Sequence, residues 1–229
     1  MADDDALLAE QQAFYRRRAP EYDEWWQRRG HYDRGPEATA HWRAEVVEIE
    51  AALDRFGAAG DVLELAGGTG WWTERLARTA AQLTVVDGSS ETLDLNRQRV
   101  GRADVVYIVA DLFAWEPARG FDAVFFSFWL SHVPRQRFDA FWSLVGRCLL
   151  PGGRVFLIDN RNDPGLTVAD PYVFAEGDGV QRRRLNDGSE HRVVKVFYEP
   201  EELVARLQAI GWLAEIEANT DFIFGSVTR

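Results

Sequence analysis

The stretch Val62-Leu63-Glu64-Leu65-Ala66-Gly67-Gly68-Thr69-Gly70-Trp71-Trp72 decides the fold. It reads as a short apolar strand that runs into a turn of small residues and then into a helix. Small residues let the backbone come close to a ligand, and the free N–H groups at the helix start suit a polar or anionic one. About 20 residues downstream, Asp87 closes the next apolar run, where a carboxylate can accept hydrogen bonds from a ribose diol. Both features fit an adenosine-containing cofactor. A nicotinamide site wants G-x-G-x-x-G, whereas the order here is Glu64-x-Ala66-x-Gly68-Thr69-Gly70, so a nicotinamide oxidoreductase is disfavoured.

Working outward, further short runs of Val, Leu, Ile and Phe read as strands at Asp61–Ala66, Leu83–Asp87, Val105–Val109, Ala123–Phe126 and Arg154–Asp159. Helical stretches at Trp72–Arg78, Glu91–Val100 and Phe138–Leu150 stand between most of them, and Pro151-Gly152-Gly153 reads as the stop of one helix and the start of the fifth strand. Continuous apolar strands alternating with helices imply a parallel sheet buried on both faces. The right-handed crossover rule makes it doubly wound. Residues Arg161 to Gly179 read as irregular, followed by a hairpin around Asn186-Asp187-Gly188 and a helix from Pro200 to Ile210. Two last strands, Trp212–Glu217 and Phe222–Val227, form an antiparallel edge.

Upstream, Pro36 suits a first helical turn, and Trp42, Val46, Ile49, Leu53 and Phe56 recur at helical spacing before Gly57. Before that helix come a helical stretch, Leu7–Arg18, and an aromatic, Arg-rich segment, Tyr22–Gly35, with neither period. Residues 1–45 are expected to form a mobile lid over a core spanning 46–229.

The chain has 229 residues, 46% of them hydrophobic, enough for one domain with a sizeable core. Lys and Arg number 26 against 37 Asp and Glu, a formal charge of −11. Nucleic acid is therefore not an expected partner, since a polyanion would meet the protein's own field. The single cysteine, Cys148, cannot form an internal disulfide, and the start Met1-Ala2-Asp3-Asp4-Asp5 is the opposite of a basic signal peptide. The longest apolar runs, such as Ala123–Leu130, fall well short of the roughly 20 residues that span a bilayer. A cytoplasmic location, no membrane contact and no metal are the expectations; oligomeric state is not readable.

The acidic-x-Ala-x-Gly-Thr-Gly loop resembles motif I of class I S-adenosylmethionine (SAM)-dependent methyltransferases, with Ala66 where many of them carry the first glycine. The resemblance continues at Val85-Val86-Asp87-Gly88-Ser89, at Ala110-Asp111-Leu112-Phe113 and at Leu149-Leu150-Pro151-Gly152-Gly153. It implies a Rossmann-like, mostly parallel seven-stranded sheet and S-adenosyl-L-methionine as cofactor. It also implies that Glu64, Ala66, Gly68 and Gly70 shape the methionine and ribose site and that Asp87 takes the ribose hydroxyls. Asp111 would face the adenine, with Leu112 against the ring, and Gly88, Ser89 and Phe128 nearby. Tyr15 and Arg18 would reach the methionine carboxylate. A plain helix or loop cap is the competing reading of Asp111, as a solvated helix face is of Arg16-Arg17-Arg18.

Phe14–Asp23 and Phe125–Pro134, with Arg182–Gly188 and Arg192–Phe197, resemble the phosphonate O-methyltransferase of dehydrophos biosynthesis and its relatives. The match departs at Trp25–Trp42, where this chain carries extra residues. It implies O-methylation of a phosphonate, phosphate or carboxylate in secondary metabolism, with His132, Arg183 and Lys195 holding the anion in a hairpin at about 180–198. A three-residue loop with Gly188 left-handed would put Arg183 and Lys195 on one face, and a two-residue turn would separate them. Alternatives stand beside this. A neutral amine or phenol would make His132 a general base, and a non-catalytic SAM-binding module would need no acceptor site. Arg182-Arg183-Arg184 could simply protect a sheet edge, His132 could be structural, and Trp25, Trp26, Trp129 and Cys148 could be packing.

Overall fold

The computed structural model describes residues 2–162, 172–177 and 179–229, with side chains from Asp5 onward. Its opening segment holds α1 (Ala2–Arg18), α2 (Asp23–Gln27) and α3 (Pro36–Phe56). Then come β1 (Gly60–Leu65), α4 (Trp71–Leu76), β2 (Ala80–Asp87), α5 (Ser90–Val100), β3 (Val106–Val109) and β4 (Phe121–Ser127). They are followed by α6 (Phe138–Cys148), β5 (Leu149–Asn160), β6 (Val173–Ala175), β7 (Val180–Arg184) and β8 (Glu190–Val194). The chain ends in α7 (Pro200–Ala209), β9 (Leu213–Ala218) and β10 (Phe222–Thr228).

Seven strands form one sheet in the order β3-β2-β1-β4-β5-β10-β9, while β6, β7 and β8 form a separate antiparallel sheet. The pairings among β1 to β5 are parallel; only β10 runs against its neighbours. This is the doubly wound, mostly parallel class I architecture. Successive residues of a strand point to opposite faces, and the central strands feed two cores accordingly. Leu63, Val124, Phe126, Val155 and Leu157 pack on the side of α6 and α7. Val62, Ala123, Phe125, Phe156 and Ile158 pack on the side of α3, α4 and α5. Fully burying one such side chain is worth about 1.5–3 kcal/mol.

Local signals account for the helix ends. Pro36 opens α3, and Gly57, at φ 64, returns its N–H to the Leu53 carbonyl. Ser89 caps α5 by accepting the Thr92 N–H.

Three expectations are corrected. Pro151–Gly153 lie inside β5, because Leu149 already faces Phe121 on β4 and a register shift carries the chain through. The Arg161–Gly179 stretch contains β6, and the rest of that reading falls partly on 163–171 and 178, outside the described residues. Tyr22–Gly35 is not irregular throughout: α2 and a short 3-10 turn at Gly30–Tyr32 bury Trp26 against Trp42 and Trp72.

Candidate active site

Two adjoining cavities lie where β1, β2 and β4 end, and they share Tyr15, Tyr22, Phe128 and His132. The first is built by the glycine turn. At Gly67 an added Cβ would sit 2.3 Å from Val85 Cγ1, and at Gly70, φ 92, it would sit 2.8 Å from Asn96, so the turn presses against its neighbours as only glycine allows. Asn96 holds the turn by donating to the Gly67 and Gly68 carbonyls, both at 3.2 Å. Ala66 takes φ 53, a left-handed conformation that favours glycine.

Asp87 closes the other side. Its carboxylate accepts the Gly68 N–H at 2.9 Å, the Ser89 N–H at 2.8 Å and the Thr92 hydroxyl at 3.2 Å. Burial raises its pKa and these donors oppose the rise. Ala66, Gly68, Asp87, Gly88 and Ser89 all line the cavity, as do Asp111, Leu112 and Phe128. Asp111 also accepts the Phe113 N–H at 2.9 Å, so it is both cap and cavity wall. Trp129, in the same wall, keeps a buried Nε1–H with no acceptor. A ribose-accepting carboxylate, an apolar slot at Leu112 and a waiting N–H fit an adenosine cofactor.

Glu64 and Gly70 stand behind the turn, not on its cavity side. Glu64 is buried, accepts the Thr73 hydroxyl at 2.5 Å, and is pushed up to about 8 by burial. Arg18 stands in the adjoining cavity. It lines the second cavity and not the first, where it is buried, donates to the Tyr32 hydroxyl at 2.9 Å and lies over the Tyr22 ring.

The second cavity is cationic. The hairpin closes through a three-residue loop: Leu185 N–H donates to the Ser189 carbonyl, Gly188 takes φ 84, and Arg183 faces His191 across the ladder. Lys195 N–H bonds the Gly179 carbonyl at 2.8 Å and extends the same register. Arg183 and Lys195 therefore share a face, and both line the cavity. Arg182 and Arg184 point the other way and pair with Glu190, so edge protection describes two of the three arginines. Among the described residues Arg183 has no carboxylate in ion-pair range and donates only to Gln181 Oε1, at 3.1 and 3.4 Å. Lys195 is buried, donates to Ser131 Oγ at 2.7 Å and Asn160 Oδ1 at 3.2 Å, and lies 3.6 Å from Asp159. Burial brings its pKa down to about 8, with Asp159 resisting.

His132 joins the two cavities. Its Nδ1 lies 2.6 Å from the Val194 carbonyl, which can only accept, so Nδ1 carries the proton. Nε2 is then an acceptor for the Tyr15 hydroxyl, 2.7 Å away. Burial, followed by the charges of Lys195 and Arg183, holds the imidazole well below its usual pKa. The residue expected to hold an anion thus presents a lone pair, and the donors facing the cavity are the cations.

Gln11 and Arg99 carried no sequence signal. Gln11 clamps the His132 loop to β8, donating to the His132 carbonyl at 3.3 Å and accepting the Val194 N–H at 2.9 Å. Asp23 accepts the Thr69 hydroxyl at 2.7 Å and pairs with Arg99, while Trp26 stacks on Trp71 at 4.7 Å, tying the opening segment to the glycine turn. No helix among the described residues is long and apolar enough to cross a membrane.

Comparison with known proteins returns a methyltransferase domain over residues 62–153. The ubiquinone biosynthesis O-methyltransferase of Xanthomonas oryzae pv. oryzae is 33% identical over 183 residues, 77% of this chain and 69% of the relative. Two solved structures of DhpI are 36% identical and cover 97% of this chain. The complex with SAM and HEP has a TM-score of 0.78 over 98% of that chain, and the complex with SAH has 0.76 over 96%.

Proposed function

The chain belongs to the class I SAM-dependent methyltransferases, an enzyme family using S-adenosyl-L-methionine, and from that premise we propose that it methylates an oxygen of a small anionic acceptor, a phosphonate, phosphate or carboxylate, in secondary metabolism. The observation that carries this reading is the trio Arg18, Arg183 and Lys195 around one cavity of a protein with a net charge of −11. Lys195 has Asp159 at 3.6 Å, but among the described residues Arg18 and Arg183 have no carboxylate in ion-pair range, and cations so placed need a ligand's negative charge to offset their desolvation. Resemblance to DhpI, at 36% identity along nearly the whole chain, supports the same acceptor chemistry.

When bound, the cofactor supplies an electrophilic methyl group on a sulfonium. Asp87 accepts the ribose hydroxyls, Gly68 and Gly88 give backbone room, and Asp111 and Leu112 hold the adenine. Residues 1–45 serve as the lid, 46–229 as the core, and the 180–198 hairpin as the acceptor wall. An in-line displacement needs donor and acceptor held at near-attack distance away from water. Tyr15, Tyr22 and Phe128 form the shared wall across which the transfer runs. An anionic acceptor oxygen needs no strong base; Arg183 and Lys195 orient it, and Tyr15 is kept in place by His132.

A second reading draws on one specific observation, the unprotonated Nε2 of His132 beside the Tyr15 hydroxyl. That pair could take a proton from an amine or phenol, and a ubiquinone biosynthesis O-methyltransferase is among the relatives. Turnover of a panel of phosphonates, carboxylates, amines and phenols separates the two. Activity on anionic members that is lost in Arg183→Ala and Lys195→Ala supports the first, while activity on neutral members alone, insensitive to both substitutions, rejects it.

A further inference from the structure

The acceptor cavity holds more cation than one anionic group needs. Arg18, Arg183 and Lys195 form an inner set, and all three act on His132. Arg28 lines the same cavity but belongs to a different neighbourhood, in which Asp221, Arg34, Tyr32 and Asp33 are the charges that influence it.

Arg28 is placed with care. It ends α2 in a left-handed conformation, φ 51, which is uncommon for a residue with a Cβ. Its guanidinium lies 5.3 Å from the Trp42 ring centroid. Its backbone N–H closes α2 on the Trp25 carbonyl, but among the described residues its guanidinium has neither a hydrogen-bond nor an ion-pair partner, and its Nε is buried and unsatisfied. Burial lowers its pKa, with Asp221 opposing from outside ion-pair range. Backbone strain of this kind gathers at ligand clamps, and a guanidinium with unspent donors matches a planar carboxylate.

Between the two cation sets runs an aromatic wall. Phe128, shared with the cofactor cavity, meets Trp25 at 5.0 Å; Trp25 meets Trp42 at 5.6 Å, and Trp42 carries Arg28. Trp25 and Trp42 of this wall belong to α2 and α3. Resting on the anionic-acceptor reading, we infer that Arg28 is a second anion subsite and that the acceptor has two acidic ends. One end is methylated at Arg18, Arg183 and Lys195. The other, a carboxylate that takes no part in the transfer, docks on Arg28, and an apolar or aromatic spacer lies along Trp25 and Trp42.

Matched acceptors test this: phenylphosphonate against its para-carboxy derivative, and propylphosphonate against phosphonopropionate, each with the full-length protein. In at least one pair the carboxylated member is expected to show a kcat/KM at least about tenfold higher, the scale of one charge-assisted contact. Arg28→Gln is expected to erase that preference and Arg28→Lys to restore part of it, with thermal melting showing that both variants fold. Equal kcat/KM within both pairs, or a preference that survives Arg28→Gln, overturns the second subsite while leaving the anionic-acceptor reading intact. Turnover of neutral phenols with none of any phosphonate or carboxylate overturns both.

Discussion

The Tyr15 hydroxyl donates to Nε2 of His132 across 2.7 Å, and this contact stands in the wall common to the two cavities. With an anionic acceptor the pair only orients, so His132→Gln is expected to lower kcat by about tenfold or less, the range of one ordinary hydrogen bond. General-base catalysis is worth about 10²–10⁴ in rate, so a loss of that size in single-turnover experiments would assign His132 to the base role.

Asp87→Ala is expected to weaken SAM and S-adenosylhomocysteine binding by about 1.5–3 kcal/mol, the worth of a charged hydrogen-bond partner. Calorimetry measures it, and an unchanged affinity rejects the ribose assignment. Asp87→Asn should lose less, because an amide oxygen can still accept the Gly68 N–H.

Lys195 carries its charge only below its lowered pKa of about 8. As pH rises through that value the ammonium is lost, and kcat/KM for an anionic acceptor is expected to fall. A profile of kcat/KM reports the enzyme before the acceptor binds. Lys195→Arg, which stays charged, should move the alkaline limb upward; an identical limb in both proteins would remove Lys195 from acceptor binding.

Asp23→Asn weakens the tie from the opening segment to Thr69 and Arg99. Residues 19–35 are then expected to exchange amide hydrogens faster, and S-adenosylhomocysteine should restore protection in the parent protein more than in the variant. Equal protection of residues 1–40 with and without S-adenosylhomocysteine, in the parent protein, counts against a mobile lid.

Ala66→Gly is expected to raise stability by up to about 1.5 kcal/mol. A left-handed residue with a Cβ costs about 1–2 kcal/mol, and the added freedom of glycine in the unfolded chain returns about 0.5–1 kcal/mol of that. Thermal melting gives the answer directly.

The parallel sheet was legible in the sequence because a strand buried on both faces must be a continuous apolar run; Val62–Leu65 and Ala123–Phe126 announce themselves. β6 escaped because Val173–Ala175 is short and borders no periodic segment. Pro151–Gly153 misled because turn residues read locally as a stop, whereas the pairing of Leu149 with Phe121 continues the strand. At the site, Asp87 and the glycines were readable because their chemistry is local to one turn. The His132 tautomer was not, since it is set by a carbonyl 62 residues away. The partners of Arg18 were not readable either, because spacing along α1 gives its turn of helix but not where a long side chain goes after the helix ends.

The acceptor cavity draws its walls largely from the opening segment and from the β6–β8 sheet, neither of which belongs to the seven-stranded sheet. Neither supplies a strand to the pairings of β1 to β5 or a partner to the Asp87–Gly68 contact. Close homologues that keep the glycine turn unchanged are therefore expected to diverge first in chemistry at Arg28 and Arg183, whereas Trp42, buried in the core beside Trp26, is expected to change less.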